Sequence, residues 1–213
     1  MIPRRAAVVL FCGDPAREER QKRLPRGFLS RLHDALLARF ERLDADVYVA
    51  RSDMRTTLAG QIESAVSACR ERGHRRVVLV AGDALVDDSI MRRAIAADEP
   101  MIAASGDGGF AIAAFATDAT LDWDAVVERR ELAAQRLRER LDVIELPRID
   151  DIDSLDDARR VMQVRAFSVS ALRMLRLIAS CLIRTSQVVH DQVKLDRSLT
   201  IRALRAPPAA FAR

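Results

Sequence analysis

The chain has 213 residues and a mass of 23.7 kDa, enough for one domain with an appendage and for a core that needs no disulfide or metal staple. Hydrophobic residues make up 49% and charged residues 31%, which excludes a disordered chain, and no apolar run reaches membrane-spanning length. The 35 basic and 31 acidic groups are unevenly placed: residues 160–213 carry ten basic and two acidic groups, so a mildly acidic body precedes a strongly basic tail.

The first apolar run, Ala6 to Phe11, is short, continuous and β-branched, as in a strand buried on both faces. A polar loop is expected from Gly13 to Arg26. Leu29, Leu32, Leu36, Phe40 and Leu43 recur at spacings of 3 and 4, which predicts a helix. Asp46 to Ala50 reads as a second strand. Leu58, Ile62, Val66 and Cys69 mark a second helix, with Gly73 placed to cap it. Arg76 to Ala81 is a third strand. A helix from about Asp88 to Ala97 follows, then short strands at Met101–Ser105 and Phe110–Phe115. The few glycine-rich residues between those two strands are too short for a helical crossover, so one of the pair runs antiparallel or turns sharply. Trp123 to Leu141 reads as helix and Val143 to Leu146 as a last strand. Strands alternating with helices at this spacing predict an α/β fold with a mostly parallel sheet between two helical layers.

The tail departs from that pattern. Ser154 to about Val193 reads as one long helix without Gly or Pro, and it carries two adjacent apolar seams. One seam suffices to dock on the body, so the second points to a further partner, most simply another copy of the chain. A basic amphipathic helix lying on a membrane is the competing reading. The expected division is an α/β body over 1–158 and a basic helical extension over 159–213.

Ligands of an open parallel sheet bind at the carboxyl ends of its strands, and four sequence features fall there. The loop after the first strand holds Arg17, Arg20, Lys22, Arg23 and Arg26, cations that suit phosphates or simply solvent. Asp83 ends the third strand and could ligate a hard divalent ion or cap a helix. The neighbouring Asp87 reads as the cap. Asp107-Gly108-Gly109 allows a close backbone approach to a ligand, or makes a turn. Asp150 to Asp157 holds more carboxylates than capping requires, with Ser154 and Asp157 in a capping-box arrangement, and Asp83 and Asp153 could meet across the sheet end and share a metal. His33, His74 and His190 read as surface or boundary residues, and Cys12 as a buried apolar cysteine. The three cysteines, Cys12, Cys69 and Cys181, lie far apart, which argues against a zinc ribbon or disulfide framework and fits a reducing, cytoplasmic compartment. Aromatic residues are 4% and none interleave with the tail arginines, so nucleic-acid stacking has little support.

In order, these features resemble the GT-A-like transferases. Members are labelled glycosyltransferase A-like or radical-SAM/selenodomain-associated transferases, and they are relatives of the molybdopterin-guanine and phospholactate nucleotidyltransferases. The resemblance covers about residues 5–160. Of the motif K-x-P-x-x-G-x-x-K-T-R-L, Pro15, Arg23 and Leu24 match, while the glycine falls on Glu18, the second lysine on Gln21 and the threonine on Lys22. G-S-D-x-P appears as Ala81-Gly82-Asp83-Ala84-Leu85, E-D-G-G-Y as Gly106-Asp107-Gly108-Gly109-Phe110, and D-I-D-T-P-E-D-L as Asp151 to Ala158. The resemblance implies a Rossmann-like, three-layer GT-A fold of the nucleotide-diphospho-sugar transferase superfamily. It implies Asp83 and Asp153 as carboxylates for Mg²⁺ or Mn²⁺, and the loop Pro15–Leu24, with Lys22 and Arg23, as the holder of a nucleotide or nucleotide sugar. Gly108 and Gly109 would pass close to the sugar or acceptor. The function expected is a metal-dependent nucleotidyl- or glycosyl-transferase. The alternative is a catalytically degenerate scaffold that forms a homodimer through its tail.

Overall fold

A computed structural model describes residues 6–51, 56–157 and 160. Beyond residue 160 the long tail helix, with its two seams, the dimer expected from them, Cys181 and His190, lies outside the described residues. Six strands form one sheet: β1 (Ala6–Cys12), β2 (Ala45–Arg51), β3 (Arg76–Ala81), β4 (Met101–Ala104), β5 (Phe110–Ala116) and β6 (Ile144–Glu145). Their order across the sheet is β2-β1-β3-β5-β4-β6. Only β5 runs against the others, pairing antiparallel with both β3 and β4. The expected antiparallel member of the fourth and fifth strands is therefore β5, and the sheet is mostly parallel. β2 reads as the sequence predicts, one residue longer at each end, whereas β6 is reduced to two residues.

Alternate side chains of each central strand enter one of two cores. Val8, Leu10, Val78, Val80, Ile112 and Ala114 face α2 (Phe28–Phe40) and α4 (Asp88–Ala96), where Phe28, Leu32, Leu36, Phe40 and Met91 close the layer. Ala7, Val9, Val77, Leu79, Ala113 and Phe115 face α3 (Leu58–Glu71), α5 (Trp123–Val127) and α6 (Ala133–Arg140), packing on Ile62, Val66, Trp123, Val126 and Leu137. Each fully buried aliphatic or aromatic side chain contributes about 1.5–3 kcal/mol through removal from water. Two such layers explain why the central strands are apolar along their whole length rather than alternating.

Three local readings change. The segment expected as a loop after β1 contains α1 (Pro15–Gln21). Asp14 accepts hydrogen bonds from the Ala16 and Arg17 amides, at 2.9 and 3.2 Å, and Pro15 takes the first helical position, both strong starting signals. The helix lacks apolar periodicity because it buries only one residue, Glu19. Second, the helix expected over Trp123–Leu141 is broken by a 3-10 turn at Arg130–Leu132, after Arg129 turns extended at φ −120°. Third, His33 and His74 are buried, at 6% exposure each, not at the surface. The caps behave as read: Asp87 accepts from the Ser89 amide at 2.8 Å, Ser154 accepts from the Asp157 amide at 3.1 Å, and Gly73 adopts φ +83° past the end of α3.

Candidate functional site

Three distant segments meet at the carboxyl edge of the sheet. β1 delivers Gly13 and then α1, and the residue that caps its end, Lys22, points back over the edge. β3 delivers Asp83, two residues past its last strand residue. The chain beyond β6 returns along the edge and is sewn to it. The Ile149 amide donates to the Ala104 carbonyl at 3.0 Å, and the Ile152 amide to the Asp83 carbonyl at 3.1 Å. Ile152 is wholly buried, so the following residue, Asp153, is turned outward over the cleft.

Lys22 joins the three segments. Its ammonium donates to Asp83 Oδ2 at 2.5 Å and to the Ile152 carbonyl at 3.2 Å, and lies 2.7 Å from Asp153 Oδ1. Three donors thus meet three oxygens, which satisfies the ammonium completely. Burial works against its charge, but the two carboxylates outweigh burial and hold its pKa above the ordinary lysine value. Asp83 and Asp153 are therefore brought together, as expected, with a lysine between them.

A ring of further acids surrounds this centre. The Asp151 carboxyl is pushed up by burial, and then by the charges of Asp153, Asp83 and Asp107. It accepts from the Gly106 amide at 3.2 Å. Glu18 is likewise raised by burial, against the pull of Lys22 and with the push of Asp83 and Asp14. Burial raises Asp107 too, but the Ser105 hydroxyl and the Gly109 amide, the latter at 3.0 Å, outweigh it and leave the carboxyl low.

Two cavities open beside this centre and share Phe11, Leu58, Ala81 and Arg130; Asp83 lines the larger, and Lys22 and Asp153 line neither. The larger, of ≈ 300 Å³, lies between the ends of β1 and β3, with Gly13, Glu18, His33 and Asp83 on its wall. The smaller, of ≈ 180 Å³, reaches under the β4–β5 turn to Ser105, Asp107, Gly109, Phe110 and Asp151. Gly82 is required where it stands: a Cβ there would lie 2.4 Å from the Phe11 carbonyl oxygen and 3.0 Å from His33 Nε2. Burial keeps His33 below the ordinary histidine range, more than neighbouring Asp83 and Asp34 raise it.

The remaining expected residues are placed as follows. Pro15 starts α1. Arg23 is exposed, takes φ +53° just past α1, and lines neither cavity. Gly109 lines the smaller cavity. Gly108, at φ +94°, uses its freedom against the protein itself, since a Cβ would stand 2.2 Å from the Glu131 carbonyl oxygen. Arg130, which lines both cavities, was missed because it sits in the break of an expected helix. His33 was legible as the fourth residue after Leu29 on the buried seam. Asp151 was hidden in a run of aspartates.

The residues present do not fit the divalent ion implied by the resemblance while Lys22 holds its position. An ion on the same oxygens would sit about 4 Å or less from the ammonium, where charges of +1 and +2 repel by about 8 kcal/mol at an effective dielectric of about 20. Among the described residues, no group of three or more His, Cys, Asp or Glu is arranged to hold a metal.

No protein-family model and no curated relative matches the chain in sequence. Among solved structures, it is similar to a protein provisionally designated a nucleotide-diphospho-sugar transferase from Desulfovibrio desulfuricans. The TM-score is 0.63 and the identity 19%, over 83% of this chain and 97% of that one. Two more distant likenesses are the inositol-1-phosphate CTP transferase of T. maritima, at TM-score 0.41, 10% identity and coverage of 83% and 96%, and a mannose-1-phosphate geranyltransferase from Thermus thermophilus, at 0.41, 15%, 75% and 80%. The likeness at TM-score 0.63 shows the fold alone, a Rossmann-like α/β sheet between helical layers; at such identities, function must come from the site.

Proposed function

We propose that the chain binds a nucleotide or nucleotide sugar in this cleft and transfers a nucleotidyl or glycosyl group to an acceptor hydroxyl. The observation that carries the reading is the convergence of Lys22, Asp83 and Asp153, from three distant segments, on the edge where open α/β sheets bind ligands. The larger cavity suits the nucleoside. Arg130, common to both cavities, is the available cation for the phosphates. The smaller cavity, with Ser105, Asp107 and Asp151, suits the sugar or the acceptor.

In this reading the acceptor oxygen forms a bond to the transferred phosphorus or anomeric carbon. The bond to the leaving phosphate oxygen breaks, and its electron pair departs with the phosphate. The acceptor proton passes to Asp151, whose raised carboxyl is a better base than an ordinary aspartate. Arg130 stabilises the charge that grows on the departing phosphate.

One observation favours a second reading, a non-catalytic binding scaffold. The segment after β1 turns a carboxylate toward the cleft where the resemblance expects the glycine of a phosphate-holding loop: Glu18 lines the larger cavity and folds against Gly13. A thermal-shift screen with nucleoside triphosphates and nucleotide sugars separates the two. A donor at about 100 times its dissociation constant adds about 2.7 kcal/mol of stability. A shift with one donor class, and turnover lost in Asp83→Asn, supports transfer. No shift with any donor, from folded protein, leaves the scaffold reading.

A further inference from the structure

We propose that Lys22 is the resident cation of this cleft, replacing the divalent ion of the resemblance, so that ligand binding here needs no metal. The inference rests on the reading of the cleft as a nucleotide site, but its metal-exclusion half stands on the lysine alone.

Lys22 follows α1 directly, and its short reach back over the sheet edge leaves the ammonium only partly open, with the side chain 18% exposed. The two carboxylates differ in setting: Asp83 is 23% exposed and Asp153 54%. Asp83 is thus fixed between β3 and the Ile152 backbone, while Asp153 closes the site from the solvent side. All three oxygens that hold the ammonium are the hard, anionic or carbonyl type that a magnesium or manganese ion would seek. The same oxygens cannot serve both cations at once. One ammonium against two carboxylates leaves a net negative centre, and Arg130 is the cation that lines both cavities. The lysine charge, held on the carboxylates, offsets part of the repulsion that a diphosphate would meet there, and Arg130 is left to bind it. The one-residue offset of Lys22 from the lysine of the resemblance is what lets it stand on the carboxylates, since its position past α1 turns the side chain across the edge.

The test uses the full chain and reads Mn²⁺ binding by loss of the free-ion electron paramagnetic resonance signal. The wild type is expected to bind Mn²⁺ no tighter than about 1 mM at this site, the weak range of calcium modules. Lys22→Met, which bares the two carboxylates, is expected to bind at least tenfold tighter, and Lys22→Met with Asp153→Asn to lose that gain. Wild-type binding that is tighter than 1 mM and abolished by Asp153→Asn overturns the proposal. So does a folded Lys22→Met variant with no gain. If Lys22→Met does not fold, the wild type and Asp153→Asn decide alone. The nucleotide screen, run in EDTA and in Mg²⁺, adds the second half. A donor shift in EDTA supports the proposal, and a shift that appears only with Mg²⁺ overturns it while upholding transfer. No shift in either overturns the transfer reading and leaves the Mn²⁺ arm to decide this one.

Discussion

The two ends of the central sheet each bury a cation, and they satisfy it in opposite ways. At the amino end of β3, the Arg76 guanidinium donates to the backbone carbonyls of Ala94 at 2.7 Å, Asp98 at 3.3 Å and Glu99 at 3.0 Å. At the carboxyl end, Lys22 is held by two side-chain carboxylates and one carbonyl in an open cleft. Burial pulls Arg76 below its ordinary value, whereas carboxylates outweigh burial at Lys22 and lift it. Neutral carbonyls tie the loop after α4 to the sheet and give nothing up to a ligand. Carboxylates can exchange partners. The partners of the cation, rather than its burial, therefore distinguish these two ends.

The sharpest way to break this contrast is Arg76→Met. It strands buried carbonyls, and the expected loss is about 3 kcal/mol, read by chemical denaturation. Nucleotide-induced shifts should survive in whatever fraction stays folded. Gly108→Ala comes next: it forces a side chain at φ +94° onto the Glu131 backbone, with an expected loss of about 2 kcal/mol. Because that contact sets the break that presents Arg130, donor affinity should fall with it. Affinity unchanged in folded Gly108→Ala would separate Arg130 from the cleft.

Asp151→Asn should act in the other direction. A carboxyl raised by burial and like charges costs stability at neutral pH, and the cost disappears as pH falls through the raised value. The variant should melt about 2 °C higher at pH 7, a gain that shrinks toward pH 4, and it should lose transfer. Melting unchanged at pH 7 would contradict the crowding of acids at this end.

The smallest effect belongs to His33. Its folded value lies below the ordinary 6.5, so the unfolded chain takes up a proton that the folded chain refuses. Stability should therefore fall as pH drops below 6.5, and His33→Gln should flatten that slope by a few tenths of a kcal/mol per unit. An unaltered slope would mean that the ring takes up its proton equally in the folded and unfolded chain.

Much of the layered architecture was legible because the central strands are wholly apolar, and the helices on α2 and α3 repeat at 3 and 4. The meeting of Asp83 with Asp153 was legible because strand ends set where a side chain can go. The lysine between them was not, since α1 packs through Glu19, whose carboxylate accepts from the Gly27 and Leu29 amides at 2.8 Å each, rather than through an apolar stripe. Polar packing of that kind leaves no period in the sequence. The break at Arg130 is equally silent locally, because the backbone it packs on, at Gly108, lies more than twenty residues away.

The Lys22 contact with the Ile152 carbonyl spans 130 residues. During synthesis from the amino end, Lys22 and Asp83 emerge early and can pair as soon as β1 and β3 meet. The other two oxygens, of Ile152 and Asp153, arrive only after β6 has been added and the chain has turned back along the edge. Fragments ending before that turn keep a two-residue ion pair and an open edge. Only a chain that extends past Asp153 closes the clasp, so the cleft forms after the sheet that carries it.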